Sequence, residues 1–339
     1  MKNYRVVLII AVSLLILFSI YISLLYYGMS TSGRSVLVRV SPGDSFTDIK
    51  RQLESKGLLD HPAVFRWAAY LMGKEGKIKV GEYRFDGSES ISSILAILTS
   101  GEVDYRKLVI PEGLMLTEIA SITALKTGID SVRFVQLASD GGLIDSLGFR
   151  GETLEGYLFP DTYLATWPFT PRGLILQMVR RFSDVYALEA ADAADSAGMS
   201  RREVVTLASI IQAEAGHDDE MRKISAVYHN RLNKGMRLEA DPTVAYALGG
   251  IRRKLWYKDL RVDSPYNTYR YRGLPPGPIC SPGSKALSAA VRPEPGFEAY
   301  YFVADGSGGH IFSRTLRQHN RAKREVKNGN FREGITTDE

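Results

Sequence analysis

Residues Val6 to Tyr27 form an apolar and aromatic run of about 22 residues that no charge interrupts. As a helix rising ~1.5 Å per residue it is long enough to cross a hydrocarbon core ~30 Å thick. Lys2 and Arg5 precede it in a very short tail, so the positive-inside rule puts the N-terminus in the cytoplasm; Arg34 and Arg39 weaken that bias without reversing it. Tyr4 and the pair Tyr26-Tyr27 stand at the two ends, where interfacial rings belong. The alternative is a cleaved signal peptide, but the run exceeds a usual signal core and Ser30-Thr31-Ser32 is a poor cleavage site. The expectation is an uncleaved single-pass anchor, with everything from about Ser30 outside the cytoplasm.

The rest of the 339 residues has ordinary globular composition, 45% hydrophobic and 24% charged. The net charge of +5 is mild and scattered, where a nucleic-acid binder concentrates its basic residues in a stripe. The single cysteine, Cys280, excludes an intramolecular disulfide and reads as a small structural residue. No P-loop, GxSxG or HExxH motif is present, and His217, His229, His310 and His319 lack metal-ligand spacing. Neither a metal nor an organic cofactor is expected.

Residues 30–33 read as a polar linker and Ser35–Val40 as a strand. Pro42-Gly43-Asp44 is a turn, and Ser45 caps a helix to about Lys56 with Phe46, Ile49 and Leu53 on one face. A second helix is expected over Pro62–Met72 with Val64, Phe65, Ala68 and Leu71 inward, then a strand over Val80–Phe85 and a helix over Ile91–Leu98 closed by Gly101. A similar unit follows: Val109-Ile110-Pro111-Glu112-Gly113 with Leu116 and Ile119 echoes Val40 through Ile49, a weak repeat of strand, turn and two helices. Units of this kind resemble LysM modules, which bind N-acetylglucosamine polymers; two unrelated small units fit the pattern equally. Thr170-Pro171 opens a long helix to about Ser196, with Ile175, Met178, Val179, Phe182, Val185 and Tyr186 as its core stripe and Gly198 as its stop.

Ser200-Arg201-Arg202-Glu203 is a capping box. The helix it opens has Val204, Leu207, Ala208, Ile211 and Ala215 on its apolar face, which puts Glu214 at the C-terminal end of a buried stripe and Gln212 on the outer side. Burial and the negative end of the helix dipole both oppose ionisation of Glu214. A carboxyl kept protonated near neutral pH can donate a proton to a glycosidic oxygen. The structural alternative is a glutamate paired with Arg222 or Arg231. Asp218 or Asp219 caps the next helix, with Ile224, Val227, Tyr228 and Leu232 inward and Gly235 as its end. Loops rich in aromatic and polar groups follow, and Tyr300–Ala304 and His310–Phe312 read as a hairpin.

Six ordered segments resemble one family, the endolytic murein transglycosylases or YceG-like family: Glu155–Tyr163 (EGYLFPDTY), Leu207–Glu214 (LASIIQAE), Asp241–Val244 (DPTV), Ser264–Tyr269 (SPYNTY), Gly273–Gly277 (GLPPG) and Tyr301–His310 (YFVADGSGGH). The resemblance implies an α+β chain: a cytoplasmic tail over 1–5, a transmembrane helix over 6–27, a LysM-like subdomain over 28–105, a catalytic domain over 106–325 and a polar tail over 326–339. It implies an inner-membrane enzyme with a periplasmic catalytic domain that cuts between N-acetylmuramic acid and N-acetylglucosamine and leaves 1,6-anhydromuramyl ends. The family's catalytic glutamate maps onto Glu214. Many relatives carry an acidic residue where this chain has Gln212, so a rival carboxylate is missing. Tyr157, Glu239, Asp241, Asn267, Thr268 and Tyr269 are the candidates for substrate contact. Peptidoglycan strands are the implied partner, and the family's role in terminating nascent strands suggests synthases as further partners that no residue here identifies. Two rivals stay open: a two-carboxylate muramidase using Asp161 or Asp241, and a membrane-anchored scaffold that binds peptidoglycan without cutting.

Overall fold

The computed structural model describes residues 2–27, 35–251 and 253–328; the expected linker at 30–33 and the tail beyond 328 lie outside them. The chain divides into two compact units, one of Met1–Lys107 with Leu164–Phe169, the other of Leu108–Tyr163 with Thr170–Glu339.

The first unit begins with α1 (Lys2–Tyr27), which contains an apolar stretch long enough to cross a membrane. Then come β1 (Val36–Val40), α2 (Phe46–Ser55), α3 (Pro62–Leu71), β2 (Gly81–Phe85), α4 (Ile91–Ser100) and β3 (Tyr105–Val109). β1 and β2 pair antiparallel, with Val38 opposite Tyr83. That register turns Val38, Val40, Tyr83 and Phe85 onto one face, where they meet Ile49, Leu53, Phe65 and the apolar side of α4 in a closed core. Leu71 departs from expectation: it is 64% exposed, beside exposed Trp67 and Tyr70. It is the last residue of α3, where the helix has run past the core.

In the second unit come α5 (Leu116–Thr127), α6 (Ser131–Ala138) and α7 (Gly141–Ser146); β4 (Thr162–Thr166) pairs with β3. The repeat has a physical counterpart. In both copies a strand leads to a turn with a positive-φ glycine, Gly43 or Gly113. The following helix then has a carboxylate at its third position, Asp48 or Glu118, that accepts the N–H of Ser45 or Met115.

α8 (Pro171–Glu189) and α9 (Ala191–Ala197) replace the single long helix expected. The break is at Ala190, with φ −134° and ψ −29°. Arg292, distant in sequence, donates to the freed carbonyl of Glu189. α10 (Arg201–Glu214) opens on the predicted capping box and is buried on all sides from Val204 to Ile211. Around it lie α11 (Met221–Asn233), α12 (Asp241–Ala247) and α13 (Ser284–Val291). The hairpin of β5 (Tyr301–Ala304) and β6 (His310–Ser313) follows, and α14 (Leu316–Lys327) packs on it. Gln212 does not face outward as expected. It is half-buried, and its Oε1 accepts the N–H of Gly283 at 2.9 Å, tying α10 to the start of α13.

Candidate functional site

Glu214 is the last residue of α10, and its carboxyl lies on a cavity of about 260 Å³. Glu239, Asp241, Tyr269, Arg231, His310 and Phe302 are among the groups that share this cavity. Burial pushes the Glu214 carboxyl up to about 7, and the Asp241 carboxylate adds to the rise. The Tyr228 hydroxyl, which donates to Glu214 Oε1 at 3.2 Å, and the Arg231 charge oppose it. Neither arginine proposed as a structural partner forms an ion pair with Glu214. Arg222 lies by Glu294 and donates to the Arg292 carbonyl. Arg231 is buried and donates to the carbonyls of Tyr300 and Leu238, at 2.6 and 2.7 Å, and to Glu239 at 3.4 Å. Glu214 is therefore a carboxyl that keeps its proton to near neutrality and opens onto a cavity, with a phenol as its only hydrogen-bond partner among the described residues.

The loop after α11 brings two more candidates to the same cavity. Asp241 accepts the Tyr269 hydroxyl at 2.5 Å, and burial, with that contact, raises the phenol's pKa so that it stays a donor. Glu239 has φ +51°, the one non-glycine residue in the left-handed region among those described. Such a conformation costs of order 1–3 kcal/mol and persists where its surroundings hold it. Here Thr268 holds it: its carbonyl accepts the Glu239 N–H, and its Oγ1 accepts the Ala240 N–H and contacts Thr243 Oγ1 at 2.9 Å.

Thr268 itself is buried, as is Asn267, whose Nδ2 donates to the carbonyls of Leu260 and Val262 and whose Oδ1 accepts the Tyr269 N–H. Both brace the loop and neither lines the cavity. Tyr157 is also elsewhere. Its ring packs against Phe149 and Phe182, at 4.6 and 5.1 Å, and borders a separate cavity beside Tyr246, Tyr266 and Arg202. Asp161, a candidate in the muramidase reading, pairs with Arg181 at 2.7 Å and is not part of the Glu214 cavity. Cys280 is buried, its thiol pushed up by burial and donating to the Ser209 carbonyl.

Sequence reasoning missed His310. Its Nδ1 lies 2.8 Å from Glu220 Oε2, and its ring faces Phe302 edge-on at 5.2 Å. The two residues are ninety positions apart, so no local spacing announces the pair.

The profile of the YceG-like family matches residues 38–325. The chain is 31% identical over 307 residues to the endolytic murein transglycosylase of Bacillus subtilis strain 168, covering 86% of this chain and 85% of that protein. It is 28% identical over 318 residues to the endolytic murein transglycosylase of Streptococcus pneumoniae D39, spanning 84% of this chain and 56% of that longer protein. The crystal structure of a YceG-like protein from Listeria monocytogenes superposes with a TM-score of 0.60 at 32% identity, covering 86% of this chain and 99% of the other. With its motifs, its fold and most of its length matched in this way, the chain belongs to the YceG-like family.

Proposed function

We propose that the protein is an endolytic lytic transglycosylase of peptidoglycan, with Glu214 as its single acid and base. The observation that carries the reading is a carboxyl held up to about 7 on an open cavity with no ion-pair partner among the described residues. In this mechanism Glu214 protonates the glycosidic oxygen between N-acetylmuramic acid and N-acetylglucosamine as the C1–O bond breaks. The muramyl acetamido oxygen stabilises the charge at C1. The Glu214 carboxylate then takes the proton from the muramyl C6 hydroxyl, whose oxygen bonds to C1 to close the 1,6-anhydro ring. The proton gained in the second step replaces the one given in the first. Asp241, Tyr269 and Glu239 contact sugar hydroxyls, while Asn267 and Thr268 position their loop. Tyr157 borders the other cavity, beside Tyr246 and Tyr266.

The strand–helix–helix–strand order of β1, α2, α3 and β2 supports a LysM-like, glycan-holding role for the first unit. The apolar α1 supports a single-pass anchor, with the tail at 1–5 cytoplasmic and the catalytic domain over 106–325 on the periplasmic side of the inner membrane. Anchored so, the enzyme would end growing strands beside peptidoglycan synthases.

Asp241 in the Glu214 cavity favours one second reading, a two-carboxylate muramidase in which a water attacks. Mass spectrometry of glycan strands cut by the full-length protein in detergent decides. Anhydromuramyl ends that vanish with Glu214→Gln are expected; reducing ends mean a muramidase, and binding without cutting means a scaffold.

A further inference from the structure

We propose that His310 contacts the substrate through Nε2, accepting a hydrogen bond from the acetamido N–H of the sugar at C1, with Glu220 as its positioning residue. The inference rests on reading the Glu214 cavity as a saccharide site.

The ring is fixed in both plane and tautomer. A carboxylate only accepts, so His310 Nδ1 carries the hydrogen shared with Glu220 Oε2 at 2.8 Å. Glu220 Oε1 accepts the backbone N–H of the same histidine at 3.0 Å, so one carboxylate grips the residue twice. Phe302 meets the ring edge-on at 5.2 Å, and Phe312 lies 6.3 Å away. In this tautomer Nε2 presents a bare lone pair, with no partner among the described residues. His310 lines the cavity that Glu214 lines.

The histidine is also held in register with the carboxyl. Gly216, two residues past Glu214, lies so close to the hairpin that a Cβ on it would stand 2.0 Å from the Gly308 carbonyl oxygen. Gly308 itself has φ +107°. Backbone thus rests on backbone, and Glu220 follows four residues after Gly216. The short segment 214–220 carries the proton donor at one end and the holder of the imidazole at the other.

The chemistry selects the sugar group. Glu239 and Asp241 are ionisable acceptors suited to hydroxyls. An acceptor nitrogen beside an apolar ring suits an amide N–H with a methyl attached, and Phe302, which also lines the cavity, supplies that ring. Holding the acetamido N–H leaves the acetamido oxygen free to approach C1.

The test exploits the two nitrogens, in the full-length protein. Gln replaces the acceptor at the Nε2 position, and Asn keeps only the group that meets Glu220. His310→Ala and His310→Asn should lower kcat/KM about 10- to 100-fold, the worth of one well-placed hydrogen bond, with part of the loss in KM, and His310→Gln should recover most of it. On a Glu214→Gln background, His310→Ala should weaken binding of N-acetylated glycan strands and leave binding of de-N-acetylated strands unchanged. Full activity in His310→Ala, rescue by Asn in place of Gln, or equal losses on both strand types would overturn the proposal. Should His310→Ala fail to fold, the Gln and Asn pair carries the test alone. Glu214→Gln on the His310 wild type separates the two ideas. If it still cuts, the reading of the cavity fails; if it is dead while His310→Ala runs at full speed, only the histidine assignment fails.

Discussion

Two glutamates in the second unit are pushed up to about 7, Glu214 and Glu155, and burial is the first cause in both. They sit at opposite kinds of helix end. Glu155 lies at the N-terminus of α5, where both its oxygens accept the Leu116 N–H, at 3.0 and 3.1 Å. α5 needs this, because Met115 at the cap position has no side-chain oxygen to offer. Glu214 lies at the C-terminus of α10, where no N–H among the described residues binds it, and it opens onto a cavity. A raised pKa alone would nominate both. The ligand of each carboxyl and the space before it separate the brace from the proton donor.

The largest effect should come from Glu214→Gln, which removes the transferable proton and should cut strand cleavage by about 10³-fold or more, read as anhydromuramyl ends, with the melting temperature held or raised. Glu155→Ala should do the reverse. It leaves the Leu116 N–H unsatisfied and should cost about 1–3 kcal/mol in denaturant unfolding, with turnover per folded molecule kept. If Glu155→Gln, which still accepts that N–H, loses cleavage without losing stability, the division of roles between the two residues breaks down.

The pH dependence sharpens the contrast. Both carboxyls keep their protons in the folded state up to about 7, whereas a glutamate with the ordinary value of 4.5 loses its proton earlier on unfolding. Between these values the folded state binds more protons, so their contribution is complete below about 4.5 and is lost as pH rises through about 7. Glu155→Gln should flatten this slope, removing roughly 3 kcal/mol of pH-dependent stability, while leaving the alkaline limb of activity in place. Asp241 raises the Glu214 pKa, so Asp241→Asn should move that limb to lower pH. The smallest effect should be that of Tyr228→Phe, which loses the stabilising phenol and should move the limb upward by a fraction of a pH unit.

Much of this was legible along the chain. The capping box at Ser200 and Glu203 located the start of α10, and helical period then put Glu214 at its buried end. What escaped depended on partners remote in sequence. The break at Ala190 needs Arg292, and the His310 clamp needs Glu220. α13 (SKALSAAV) is only eight residues long, too short a stretch for helical spacing to stand out in the sequence. Asn267, Thr268 and Tyr157 suit a sugar or a loop interior equally well by residue type; in the fold the first two hydrogen-bond within their own loop, and Tyr157 packs on Phe149 at the edge of a second cavity.

The left-handed backbone at Glu239 bears on how the protein would drift if its task were lifted. Glycine or asparagine fits that conformation at less cost than glutamate. A population of variants screened for heat resistance alone should therefore accumulate Glu239→Gly. One screened for growth on an intact wall should keep the acid and tolerate the backbone it occupies. Position 239 would then report which of the two demands a lineage had been answering.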